Sequence, residues 1–376
     1  MLNSNQNNNL FGKSVVVVAL LDWGLGHVTR TVPIIKELIN KNCHIIAACN
    51  PRQKSLLVRE FDQIEFVDCE GYDIRYRKSS LQTRLALIWQ IPKILIKINR
   101  EHRWLSRFLE ARKVDLVISD NRYGFFSHKL PSVIITHQLE IKSGLGRWVD
   151  GWANSINRRL LSKFKECWIP DFQGNNSIAG ELSHPRRLPS IPLRYLGALS
   201  RLEPCTSLAP TQKHQLLVLL SGPEPQRTML EEKILADAKD IPSTEIILVR
   251  GLPSETSDLA NHPSNVQPSN HLPAAELNKA ICSADYIVSR SGYTSLMDYL
   301  KLGVKSILIP TPGQAEQEYL ASYLQENQFA LSFEQSGFSL ASSLEQASHF
   351  AYRKFEGNMD EYKAQLSEFL ASISKD

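Results

Sequence analysis

The sequence predicts an α/β protein of two domains, each a parallel sheet wrapped by helices. Three observations predict it. Short β-branched runs alternate with helix-length segments along the chain, as parallel sheets require. At 376 residues the chain is longer than one core usually fills. A Pro- and Ser-rich stretch without helical period, from Leu188 to Gln212, divides the alternation into two halves, as a hinge would.

In the first half the strand runs are Val15 to Leu21, His44 to Ala48, Ile64 to Val67, Val114 to Ser119, Val133 to Thr136 and Cys167 to Ile169. Each is short and mostly apolar, as strands covered on both faces should be. A helix from Val32 to Asn40 follows the first. The second half repeats the plan with Gln215 to Leu220, Glu245 to Val249, Tyr286 to Ser289 and Ser306 to Ile309. A helix starts near Tyr293 and stops at Gly303, and a Pro-Gly loop after Ile309 leads into another. The expected organisation is a first domain over 13–195, a linker over 196–212, a second domain over 213–343, and two helices over 344–376 that return toward the first domain.

Composition narrows the function. With 43% hydrophobic and 22% charged residues the chain is an ordinary soluble protein. The N-terminus lacks a signal-peptide pattern, residues 1 to about 12 read as a frayed polar leader, and no apolar run reaches the ~20 residues needed to cross a bilayer. Cys43, Cys49, Cys69, Cys167, Cys205 and Cys282 show no paired spacing, so buried free thiols and a cytoplasmic location are expected. Residues 1–200 hold 29 basic against 17 acidic residues, leaving 14 against 22 in the rest. Much of the excess lies over 74–113, where eleven basic residues meet only Glu101 and Glu110 among apolar residues at near-helical spacing. That segment reads either as a packed helix pair with a solvated basic face, or as a surface for an anionic membrane or a phosphate-bearing acceptor. No nucleic-acid-binding motif accompanies the charge, so no nucleic-acid partner is expected.

Three strand-to-helix loops and one longer stretch carry the chemistry. In Asp22 to Arg30 (DWGLGHVTR), Gly24 and Gly26 allow a tight turn and His27 is presented at a helix start. Asp120 ends a later strand of the same sheet, where it can reach His27 and hold its tautomer, or else cap its own turn. In LSGPEPQR, Ser221 and Gly222 can cradle a phosphate with Arg227 as charge partner, or form a plain Gly-Pro turn. The stretch from Ser289 to Ala321 places Arg290, Ser291 and Gly292 before one helix and a Pro-Gly loop before the next. Two helix N-termini then open on one sheet edge, and helix N-termini attract anions.

Taken in order, the GLGH turn, the hinge, SGPEPQR and RSGYTSLMD…PTPGQAEQE resemble the two-domain glycosyltransferases of the GT-B fold. The family 28 type, which transfers N-acetylglucosamine from UDP to a lipid-linked peptidoglycan precursor, is the closest likeness. The resemblance implies two Rossmann-like domains facing across a cleft. It implies that Tyr293, Thr294 and Ser295 meet the donor diphosphate, and that Asp298, usually Glu in the family, binds the ribose. By the same likeness Gln317 and Glu318 face the sugar, and His271 and Leu272 meet the uracil. On the acceptor side the family's triple-glycine loop is reduced to GLGH, with Gly24, Gly26 and Arg30 matching it. His137 and Gln138 replace its acidic acceptor residue. His27 and Asp120 also resemble the His–Asp dyad of plant-type inverting transferases.

The expected activity is metal-independent, inverting transfer of a hexose or N-acetylhexosamine from a UDP-sugar to a cell-envelope glycan or lipid-linked acceptor, with no cofactor. His27 would be the base, Asp120 would orient it, and Arg290, Ser291 and the helix start at Tyr293 would stabilise the departing UDP. A UDP-sugar hydrolase with a similar G-x-G-H-x-x-R turn and a non-catalytic nucleotide-sugar-binding subunit are the alternatives.

Overall fold

The computed structural model describes residues 14–22, 24, 26–72, 90–174, 176–205, 215–253, 255–257 and 259–373. The leader and the basic residues from Arg75 to Arg84 lie outside these. Two compact units result. The first holds the described residues through 72, 90–201 and 357–373; the second holds 202–356.

Unit 1 is a seven-stranded sheet of β1 (Val15–Leu20), β2 (His44–Cys49), β3 (Glu65–Asp68), β4 (Leu116–Asp120), β5 (Ser132–Ile135), β6 (Glu166–Ile169) and β7 (Leu193–Tyr195). All neighbours pair in parallel, in the order β3-β2-β1-β4-β5-β6-β7. Val16 to Leu20 are fully buried, which is why that run carries no polar alternation. The helices are α1 (Gly26–Asn40), α2 (Pro51–Leu57), α3 (Ile91–Ala111) and α4 (Arg147–Leu161). Ile94 and Ile98 of α3 share an apolar cluster with Leu160 near the end of α4.

Unit 2 is a six-stranded parallel sheet of β8 (Gln215–Leu219), β9 (Glu245–Val249), β10 (Val266–Ser269), β11 (Tyr286–Ser289), β12 (Ser306–Leu308) and β13 (Leu331–Ser332), ordered β10-β9-β8-β11-β12-β13. Its helices are α5 (Gln226–Asp237), α6 (Ala274–Ser283), α7 (Tyr293–Leu302), α8 (Ala315–Glu326) and α9 (Leu340–His349). α7 ends where Gly303 takes φ 67°, a left-handed cap that glycine adopts without strain. The last helix, α10 (Glu361–Ile373), belongs to unit 1. Phe369 there meets the buried Trp168 of β6 edge-on, with ring centroids 5.0 Å apart, and Gln365 accepts from Arg194 of β7 at 3.0 Å.

Several features differ from the sequence reading. α1 begins at Gly26 rather than near Val32, so His27 and Arg30 lie on the helix itself. The short strands β7, β10 and β13 carry too few apolar residues to be legible alone; β7 falls inside the stretch read as a hinge. Of the two C-terminal helices, α9 packs within unit 2 and only α10 with unit 1. Cys205 and Cys282 form a disulfide with their Cα atoms 5.4 Å apart, whereas Cys43, Cys49, Cys69 and Cys167 are buried free thiols. A separation of 77 residues gives no local signal of that approach.

In each sheet the strand order reverses once, between β1 and β4 and between β8 and β11. At such a point the flanking loops run in opposite directions and leave a crevice at the carboxyl edge, where open α/β sheets take ligands. The loops singled out from the sequence emerge at these two places.

Candidate active site

In unit 1, register fixes the geometry. Leu20 of β1 pairs with Asp120 of β4, and Asp120 with Ile135 of β5, so the three strands end level. α1 then starts above that edge, after Gly24 has turned the chain with φ 86°. Three residues apart on a helix, His27 and Arg30 share a face. Both reach Asp120. His27 Nδ1 lies 3.0 Å from Oδ2, while Arg30 Nε donates at 3.1 Å to each carboxylate oxygen and Arg30 NH2 donates to Oδ1. From the end of β5, His137 Nδ1 accepts from Arg30 NH1 at 3.5 Å. Thr31 Oγ1 donates to the His27 carbonyl at 2.9 Å and fixes this turn of the helix.

Burial is graded across the group. Asp120 has a fully buried side chain, Arg30 is 2% exposed and His27 14%. Burial opposes the Asp120 carboxylate, but Arg30 and His27 together outweigh it and hold the group below its ordinary value. His27 is likewise held below 6.5, first by burial and then by the charge of Arg30, with Asp120 only partly offsetting them. The imidazole is therefore neutral at pH 7. With Nδ1–H on Asp120, its Nε2 carries the free lone pair, the arrangement of a general base.

Gln138 follows His137 on a loop held by α4. Asn157 Nδ2 donates to the Gln138 carbonyl at 2.9 Å, Asn154 donates to the Ile141 carbonyl at 3.0 Å, and Asp150 accepts from Ser143 N at 2.7 Å. Of the expected acceptor residues, Arg30 and His137 are thus gathered around Asp120, and Gly24 is exposed at the turn.

The sequence reading missed a second buried pair beneath this edge. Arg122 donates from Nε to Glu101 Oε1 at 2.9 Å and from NH1 to the Leu20 carbonyl at 3.1 Å, and Tyr72 Oη donates to Glu101 Oε2 at 2.6 Å. It ties α3 to the ends of β1 and β4. Its available signal was Glu101, one of two acids in a strongly basic run.

In unit 2, Ser289 pairs with Leu219 of β8 and Leu308 of β12, so the loops after β8, β11 and β12 share one edge. Ser221 and Gly222 are exposed on the first, with Gly222 at φ 98°. Gly292 stands at the N-cap of α7, and a Cβ built there meets nothing within 4 Å. Among the described residues no side chain caps the start of α7 or α8. Tyr293 is buried, whereas Thr294, Ser295 and Asp298 are half-buried along the first turns of α7.

Several expected donor residues are already engaged. Arg290 is 1% exposed and donates to the carbonyls of Ile309, Pro310 and Gln226 at 3.2, 3.3 and 2.6 Å, pinning the loop after β12 to the start of α5. Its Nε is unpartnered, as is the buried Thr311 Oγ1 beside Gly222. Among the described residues Arg290 has no ion pair, and burial pulls its pKa down to about 10. It still holds a positive charge without a carboxylate, beneath two uncapped helix starts. Ser291 Oγ donates to the Gln317 carbonyl at 2.8 Å; Gln317 and Glu318 accept from Thr311 N and Gly313 N at 2.9 and 2.8 Å. Those side chains shape their loop.

Arg227, expected beside a phosphate, instead pairs with Glu224 and Glu231 at 2.6 and 2.7 Å. Glu224, three residues before it in the turn that leads into α5, and Glu231, four residues after it on α5, capture it. His271 accepts from Ser269 Oγ at its carbonyl at 3.1 Å, and Leu272 lines a groove of about 390 Å³ with Gln267, Ser269, Glu276 and Lys279. Among the described residues no group of three or more His, Cys, Asp or Glu side chains is placed to hold a metal, and no helix is long and apolar enough to cross a membrane.

Residues 226–375 match the glycosyltransferase family 28 C-terminal domain. An uncharacterised glycosyltransferase of Methanosarcina acetivorans is 24% identical over 331 residues, 83% of each chain. The solved structure of spinosyn rhamnosyltransferase SpnG complexed with thymidine diphosphate superposes with TM-score 0.63 at 12% identity, over 96% of each chain. MurG of Acinetobacter baumannii does so with TM-score 0.51 at 17% identity, over 97% of this chain and 100% of that one. At these identities the two structures bear on the fold, which is GT-B.

Proposed function

We propose that this chain, a family 28-like glycosyltransferase of the GT-B fold, transfers a sugar from a UDP-activated donor to a hydroxyl of a cell-envelope glycan or lipid-linked acceptor, with inversion and without a metal. The observation that carries the reading is the His27–Asp120 contact of 3.0 Å at the strand-order reversal of unit 1. The acceptor hydroxyl gives its proton to His27 Nε2 as its oxygen bonds to the anomeric carbon. The bond from that carbon to the diphosphate breaks on the opposite face, and the diphosphate leaves with the electron pair. Asp120 keeps the base in its Nδ1–H tautomer and stabilises the imidazolium that forms.

Unit 2 supplies the donor half. The diphosphate fits the edge where α7 and α8 begin, with Ser221 and Gly222 opposite and the uncompensated charge of Arg290 below, because backbone N–H groups and a fixed positive charge both favour an anion. SpnG, which shares the fold, is complexed with thymidine diphosphate, and this supports a nucleoside diphosphate as the leaving group here. UDP itself rests on the motif likeness around Asp298 and Gln317.

The acceptor's setting is an anionic membrane surface. α3 exposes Arg100, Arg103 and Arg107 with Ile96, and α4 exposes Trp148 at 95% and Trp152 at 51%. Basic residues near such a surface contribute roughly 1 kcal/mol each, and Trp suits the interface. Melting with a panel of nucleotides and nucleotide sugars tests the donor site: a ligand at 100 times its dissociation constant adds about 2.7 kcal/mol. A shift with UDP and a larger one with a single UDP-sugar is expected; no shift with any nucleotide would remove the reading.

A further inference from the structure

The interaction least explained by this function is Arg30. Matching it to an acceptor-binding loop gives it a role its geometry denies: both edges of its guanidinium face protein, it is 2% exposed, and three of its hydrogen bonds go to Asp120. A simple His–Asp dyad needs no such partner. A buried carboxylate that serves one histidine gives that histidine its full charge, whereas here one carboxylate is shared between a guanidinium and an imidazole.

We propose that Arg30 is a positioning residue for the base: by gripping Asp120 side-on through both oxygens it fixes the carboxylate plane and shares its charge, so that His27 is presented with Nδ1–H inward and Nε2 outward. The inference rests on the reading of His27 as the base. Side-on contact through Nε and NH2 leaves Oδ2 directed at His27 Nδ1, and a bidentate fork cannot rotate away as a single hydrogen bond can. Proton uptake at Nε2 places an imidazolium beside a guanidinium with one carboxylate between them, so the proton passes on to water and the base is restored for the next acceptor.

The groups acting on His27 come from three elements: Arg30 on its own helix, Asp120 at the end of β4, and His137 at the end of β5, itself in contact with Arg30. The direction agrees with the geometry, since His27 is held below its ordinary value despite an adjacent carboxylate, and after burial the charge of Arg30 is the largest reason.

The test reads the histidine ring directly, without donor or acceptor, so its outcome does not depend on turnover. Long-range nitrogen–proton spectra of the histidine rings are recorded against pH for the wild type, Arg30→Met and Arg30→Lys, with His27→Gln assigning the signal. In the wild type His27 should be the Nδ1–H form and remain neutral through the ordinary histidine range. In Arg30→Met its midpoint should move to higher pH, and in Arg30→Lys, which keeps the charge, it should stay closer to wild type. A residue that merely stabilises the fold would lower the melting temperature in both variants without moving the midpoint. A wild-type Nε2–H form, or equal midpoints in wild type and Arg30→Met, overturns the proposal. If Arg30→Met does not fold, Arg30→Gln takes its place. Loss of the transferase reading would instead appear as unchanged turnover in His27→Ala, whatever the spectra show.

Discussion

Replacing Asp120 by Asn removes one charge and almost no volume. Asp120 accepts on both oxygens, from His27 on one and from Arg30 on both. An amide has one accepting oxygen, so its NH2 must face either the Arg30 guanidinium or His27 Nδ1. Either way the buried cation, 2% exposed, loses its counter-charge; the first also sets two donors against each other, and the second drives the imidazole into the wrong tautomer. Breaking a buried pair by removing one partner costs about 3–5 kcal/mol. For a unit of this size each kcal/mol moves the melting temperature by about 2–4 °C, so a fall of about 6–20 °C is expected. Turnover should fall by about 10²–10⁴, the usual contribution of a positioned base. The assay is thermal unfolding of D120N, R30M and the D120N/R30M double variant, paired with release of UDP from the donor found by melting. The double variant should lose less than the two single losses added together, because neither partner is then left unpaired. D120N melting within about 2 °C of wild type would refute the account of Asp120 as a shared buried counter-charge.

His27→Ala should lower turnover by about 10²–10⁴ while leaving stability within about 1 kcal/mol, since the ring is partly exposed; turnover within threefold of wild type would sink the base assignment. Asp120 and His27 are both held more acidic in the folded chain than in the unfolded one. Their stabilisation is complete above the ordinary histidine value of 6.5, declines as pH falls through it while unfolded His27 gains a proton, and falls again below about 3.9, where unfolded Asp120 does. Melting between pH 8 and 3 checks this, and a flat profile contradicts it. Arg290→Met should weaken the melting shift given by UDP and also loosen the loop it pins; an undiminished shift would remove its charge from the donor site. Trp148→Ala with Trp152→Ala should reduce sedimentation with phosphatidylglycerol vesicles without changing the melting temperature, and equal binding would remove α4 from the membrane surface.

Much of the fold was legible because the relevant physics is local. Val15 to Leu20 and Leu216 to Val218 are apolar at successive positions, which only a strand buried on both faces requires. Gly303 marks the end of α7 because a left-handed cap suits no other residue as well. The candidate residues stand at the edge expected of them, since polar residues directly after buried strands lie at the carboxyl edge of a parallel sheet. What stayed hidden was partner choice. Arg227 is taken by Glu224 and Glu231, Gln317 and Glu318 brace their own loop, and Arg290 is pinned by carbonyls from two other segments. The start of α1 was misplaced because glycine and histidine carry no apolar period, and with it went the helical spacing that aims Arg30 and His27 together.

The sequence by itself determined two parallel α/β units and the identity of the loops that carry polar chemistry, because side-chain period, β-branching and glycine turns act within a few residues. The tertiary structure alone decided that β4 lies beside β1, which brings Asp120 to a histidine 93 residues away, and that Cys205 meets Cys282. It also decided that Arg30 serves Asp120 rather than the solvent. Burial and ion pairing depend on which distant segments share a space, and no local pattern encodes the charge a neighbouring strand will supply.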